Sequence, residues 1–90
     1  MTQLRDNAAA HRLEMEEGGQ IVFADYRRAG GRLVIEHVEA PPALRGTGAA
    51  GRFMEALAAH ARAEGEKIVP RCGYAAAWLQ RHPRHRDLVA

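Results

Sequence analysis

Leu44-Arg45-Gly46-Thr47-Gly48-Ala49-Ala50-Gly51-Arg52 is the stretch that organises this chain. It follows a strand-like run that ends before Pro41-Pro42, and it opens a run with helical spacing. Small residues let backbone N–H groups come close to a ligand. The first turn of a helix leaves donors unpaired, and the helix dipole adds partial positive charge there. Together these form an anion cradle suited to phosphate, with bare nitrogens expected around Thr47 and Ala49. A tight strand-to-helix connection without a ligand is the bland alternative, but one or two glycines would serve for that.

Upstream, three runs read as strands. His11–Glu17 alternates, with Leu13 and Met15 opposite Arg12, Glu14 and Glu16. Gln20–Arg28 sets Ile21, Phe23 and Asp25 against Val22, Ala24 and Tyr26. Arg32–Ala40 holds Leu33-Val34-Ile35 and His37-Val38, and it stops where Pro41-Pro42 removes ladder donors. Gly18-Gly19 and Ala29-Gly30-Gly31 supply the two turns, so the three runs predict an antiparallel meander. Residues Met1–Ala10 are polar or small and read as a frayed start.

Downstream, Ala50, Phe53, Met54, Leu57, Ala58 and Ala61 recur at helical spacing, and Gly65 is a natural stop. Lys67–Cys72 reads as a fourth strand, shortened by Pro70. Tyr74–Arg81 reads as a second helix packing Ala75, Trp78 and Leu79, and it ends at His82-Pro83. The order β-β-β-α-β-α describes a mixed α+β fold. The strand–helix–strand piece makes a right-handed crossover between parallel neighbours.

Ninety residues allow one domain, residues 1–90, with a thin core. No uncharged apolar run approaches a membrane span, and the start lacks the apolar stretch of a signal peptide, so the cytoplasm is the expected location. A lone cysteine, Cys72, makes neither an internal disulfide nor a multi-cysteine zinc site. No metal is expected. The net charge of +2 is small, and no basic stretch is interleaved with aromatics, which argues against a nucleic-acid partner. A monomer and a homodimer both fit a chain of this size.

Two phosphate motifs fail on the glycine-rich stretch. Gly46 to Gly51 has P-loop spacing, but Arg52-Phe53 stands where the motif needs a lysine and a hydroxyl. Gly46, Gly48 and Gly51 satisfy G-x-G-x-x-G, yet a meander precedes them and Glu66 falls before the fourth strand. Arg45-x-x-Gly48-x-Ala50, after a strand and opening a helix, instead resembles the coenzyme A loop of GCN5-related N-acetyltransferases. His37, Pro41-Pro42, Pro70, Cys72, Ala75-Ala76 and Arg81-His82-Pro83 extend the resemblance to a very small acetyltransferase-like subfamily, from about His11 to Val89. Arg71 and His85 depart from it, because members carry a small apolar residue and a tyrosine there.

The resemblance implies transfer of acetyl from acetyl-CoA to an amine, with the pyrophosphate on Arg45, Gly46, Thr47, Gly48, Ala49 and Ala50. It also implies that the strand end Val38-Glu39-Ala40 offers a backbone N–H to the thioester carbonyl. Cys72 is a candidate nucleophile or proton donor to the departing thiolate, and His37 a candidate base. Each also reads plainly: Cys72 as packing beside Ile68 and Val69, His37 as a hydrogen-bonded strand residue, and Glu39 as surface. Arg81 and His82 either reach the cofactor's phosphates or cover a helix end. Two other functions compete. One is a CoA- or acyl-CoA-binding module without turnover, and the other is a small interaction protein whose basic C-terminus meets an acidic partner.

Overall fold

The computed structural model describes residues 3–90. Strands β1 (Leu4–Asn7), β2 (Arg12–Glu17), β3 (Gln20–Ala29) and β4 (Arg32–Glu39) are followed by helix α1 (Ala49–Glu64), strand β5 (Lys67–Pro70) and helix α2 (Gly73–Arg81). The five strands form one sheet in chain order. The first four pair antiparallel, and β5 joins β4 in parallel after the α1 crossover. The fold is mixed α+β, with the expected meander and crossover. Among the described residues no helix is long and apolar enough to cross a membrane.

The start of the chain corrects the sequence reading. Leu4–Asn7 pairs with Arg12–Met15, and Ala8–Ala10 makes a 3-10 turn, where a frayed start was expected. Met1 and Thr2 of that stretch lie outside the described residues. Long-range side chains hold β1 in place. Arg5 pairs with Glu14 at 2.6 Å, and Asn7 donates to Glu14 at 3.2 Å. Asp6 accepts from the Tyr26 hydroxyl and from Arg28.

One face of the sheet carries Leu13, Met15, Val22, Ala24, Tyr26, Leu33 and Ile35, which pack with Phe53, Met54 and Leu57 of α1 and Trp78 and Leu79 of α2 in one cluster. On the other face Arg12 lies over the Phe23 ring, 3.8 Å from its centroid, and pairs with Asp25. In β3 the inward face is thus the Val22–Ala24–Tyr26 one. Burial of such side chains is the main driving force for a chain this short.

A bulge positions the functional end of β4. Asp25 pairs with His37 and Tyr26 with Ile35, so Glu36 is the extra residue. Plain alternation would put Ile35 and Val38 on opposite faces. The bulge returns Val38 to the core side, where it and Ala40 pack against the cluster, and leaves Glu36 and His37 exposed. Glu36 is held between Arg27 at 3.6 Å and Arg71 at 3.4 Å.

Candidate functional site

Strands β4 and β5 part company at Ile35. The last register pair is Ile35 with Pro70, and the Arg71 N–H donates to the Ile35 carbonyl at 3.0 Å. Strand β4 runs on to Glu39, so its edge over Glu36–Glu39 has no partner strand on that side. A cleft of about 290 Å³ opens there, lined by Val38, Glu39, Ala40, Arg45, Ala50 and Tyr74. The structure therefore brings the β4 end, the glycine-rich stretch and the first turn of α1 to one place.

The stretch itself is a 3-10 turn over Pro42–Leu44 followed by two left-handed glycines, Gly46 (φ 79°) and Gly48 (φ 83°). Residues with a Cβ rarely take that conformation, which is why glycine stands at both. Gly48 is the N-cap of α1 and supplies no side-chain cap. The first turn of α1 carries no acidic residue, so its dipole end stays uncompensated.

The distribution of its amides corrects one expectation. The Thr47 N–H donates to the Leu44 carbonyl at 3.2 Å, and the Ala49 N–H reaches the Thr47 hydroxyl at 3.3 Å. Thr47 Oγ1 in turn donates to the Leu44 carbonyl at 2.5 Å. The two nitrogens expected to be bare are thus engaged, because the turn closes on itself through Thr47. The N–H groups of Gly46, Gly48, Ala50 and Gly51 have no acceptor among the described residues. These four donors, at a helix start without a carboxylate, match the chemistry of a diphosphate.

The remaining expected residues fall in different places. Glu39 lines the cleft and joins two others: its Oε1 lies 2.8 Å from His37 Nε2, and its Oε2 lies 3.8 Å from Arg45 Nη2. His37 is exposed and does not line the cleft. Cys72 is half-buried at the N-cap of α2, packed against the core cluster and outside the cleft lining. No hydrogen bond joins His37 to Cys72 among the described residues. His82 closes the far end of α2, its Nδ1–H donating to the Trp78 carbonyl at 2.7 Å and its ring stacking on Trp78 at 3.8 Å. Arg81 is exposed and meets no carboxylate among the described residues.

Tyr74 is the cleft residue that the sequence reading passed over. Only its position one residue after the start of α2, two past Cys72, marked it. Burial pushes its phenol up from the ordinary value of 10.0, Arg81 opposes that, and a Cys72 thiolate would add to it. The phenol therefore keeps its proton through the neutral range and is able to donate a hydrogen bond.

No curated protein matches this chain. The sequence pattern of the GCN5-related N-acetyl-transferase family matches residues 11–88, from the turn before β2 to the last buried leucine. That span takes in the meander, the bulge, the bare-amide turn and both helices, and on it the chain belongs to the GCN5-related N-acetyltransferase family.

Proposed function

We propose that this protein transfers acetyl from acetyl-CoA to an amine, and that the amides of Gly46, Gly48, Ala50 and Gly51 hold the cofactor's pyrophosphate. The single observation that carries this reading is that the unpaired donors sit on one turn whose Arg45 and Ala50 line the same cleft as the free edge of β4. Acetyl-CoA, when bound, supplies an activated thioester. Everything else is the work of this chain's residues.

Arg45, at the cleft and 3.8 Å from Glu39, adds a permanent positive charge beside the phosphates. The Val38–Ala40 backbone, without a strand partner on its β5 side, offers an N–H donor where charge develops on a carbonyl oxygen. Glu39, which lines the cleft, holds His37 just outside it and passes on to that ring the proton that the attacking amine loses. Tyr74 donates to the departing sulfur, so the thiolate leaves as a thiol. Arg81 and His82 stand at the far, C-terminal end of α2 and outside the cleft lining, so they take no part in this reading. The cytoplasm is the compartment that goes with this reading.

A second route is favoured by the position of Cys72 at the N-cap of α2. There the sulfur takes the acetyl group from the thioester, releases CoA thiol, and passes the acetyl to the amine.

Thermal unfolding with and without acetyl-CoA tests the cofactor site. A ligand at one hundred times its Kd adds about 2.7 kcal/mol. No stabilisation by acetyl-CoA or by CoA overturns the reading. Stabilisation without release of CoA thiol on a panel of amines would leave a binding module.

A further inference from the structure

A second cavity, also about 290 Å³, lies on another side of α2. Its walls are Pro70 at the end of β5, Ala76, Leu79 and Gln80 of α2, and Arg86 and Val89 of the C-terminal segment. It shares no lining residue with the cofactor cleft. Ala76, Leu79 and Gln80 stand three and four apart, so they share one face of α2, while Tyr74 serves the cleft.

The geometry of Pro83–Leu88 explains why this cavity holds a cation. The segment is a 3-10 helix, whose side chains fan out in three directions. Arg84 and His85 both engage Glu55 of α1. Asp87 takes Arg62 at 2.6 Å, and its carbonyl accepts from Lys67 Nζ. Leu88 enters the core. Arg86 is left over: its guanidinium meets no carboxylate among the described residues, and none of the six lining residues is acidic. The far wall is anchored, because Val89 bridges to Ile68 in parallel and the Ala90 N–H donates to the Ile68 carbonyl at 2.9 Å.

A permanent cation thus faces a small cavity with four apolar walls and one amide. One charge and an apolar surround call for one negative charge on an apolar body. A phosphate dianion would need further donors that the lining lacks. We propose that this cavity binds a monocarboxylate with a compact apolar body. The carboxylate sits on the Arg86 fork and accepts from the Gln80 amide, while the apolar body lies against Pro70, Leu79 and Val89. The inference does not depend on the cofactor site.

The test is titration of the ¹⁵N-labelled protein with benzoate, read as amide shifts. Benzamide, of the same shape without the charge, and inorganic phosphate are the comparisons. Benzoate is expected to give saturable shifts confined to the end of β5, the 76–80 face of α2 and residues 86–90. Benzamide, and benzoate on Arg86→Gln, are each expected to bind about tenfold or more weakly, the loss of one charge-assisted contact. Arg86 is exposed and unpaired, so Arg86→Gln keeps the fold and its stabilisation by acetyl-CoA. Any of four results overturns the proposal: no saturable shift at millimolar benzoate, benzamide binding as tightly, Arg86→Gln binding benzoate unchanged, or phosphate giving the stronger shifts at these residues. Benzoate shifts centred on Gly46–Gly51 would also overturn it, since the carboxylate would then be reading the helix start.

Discussion

The Arg52 guanidinium lies across Gly48: a Cβ on that glycine would stand 3.1 Å from Arg52 Nη1. Arg52 is held there by Glu17 at the end of β2, to which its Nε donates at 3.0 Å. The rim of the bare-amide turn is thus set by an ion pair reaching from the first hairpin to the start of α1.

Gly48→Val places a branched side chain at φ 83° and against Arg52. The strain costs about 1–2 kcal/mol, which leaves a folded protein, and the new methyls crowd the cradle. Calorimetric titration is expected to show no acetyl-CoA binding while the far-ultraviolet spectrum stays that of the parent. Normal binding would move the pyrophosphate elsewhere.

Tyr74→Phe removes the cleft's phenolic donor and keeps its ring. Acetyl-CoA affinity is expected to hold, and kcat to fall by about 10²-fold, the low end for a lost proton donor. An unchanged kcat means that the sulfur leaves without help from Tyr74.

Cys72→Ala separates the two routes. With direct attack, the variant turns over near the parent rate, and intact-mass spectra of the parent with acetyl-CoA show no added acetyl. An acetyl adduct on Cys72 that disappears when amine is supplied establishes the covalent route.

Acid sensitivity at the β1 edge comes from Asp6. Burial alone would raise its pKa, but hydrogen bonds from Tyr26 and Arg28 outweigh that and hold it below the ordinary 3.8. Its folded value is below its unfolded one. Its contribution is therefore full above the unfolded value and lost as pH falls through the folded value. Asp6→Asn is expected to lower stability at neutral pH by about 1–3 kcal/mol and to flatten the acid limb of urea midpoints. A variant with the parent's acid limb would assign that limb to other carboxylates.

His85 acts at milder acidity. Burial lowers its pKa, with Arg84 and Arg62 adding to the effect and Asp87 opposing it. The neutral ring donates from Nε2 to Glu55 at 3.0 Å and accepts at Nδ1 from Arg62 at 3.4 Å. The folded value again lies below the unfolded one, about 6.5. Below that pH the unfolded chain takes the proton first, so stability declines until the folded value is reached. His85→Gln keeps a donor for Glu55 and cannot titrate. Its urea midpoint is expected to fall less than the parent's between about pH 7.5 and pH 5.5; equal declines would exclude His85 as the source.

Much of this was legible in the residues. Alternation in His11–Glu17 set apart the apolar face of Leu13 and Met15, which meets the core; in Gln20–Arg28 it separated two faces, and packing chose Val22, Ala24 and Tyr26 as the inward one. Strand β1 was not legible: Leu4-Arg5-Asp6-Asn7 has no alternation, and its partners lie up to 22 positions away. Tyr74 was passed over because its neighbours in space, Val38 and Ala50, are far from it in the chain.

The order of elements from β2 onward, the meander, the crossover and the glycine-rich turn that opens α1 followed from the chain alone, since glycine, proline and apolar period act locally. Which amides in that turn stay bare was decided in three dimensions, by Thr47 closing back on Leu44. So was the separation of His37 from Cys72, because a one-residue bulge at Glu36 turned the end of β4 over. Hydrogen bonds between distant peptides, and the switching of a strand's faces, depend on what packs alongside, and no local pattern of residues records it.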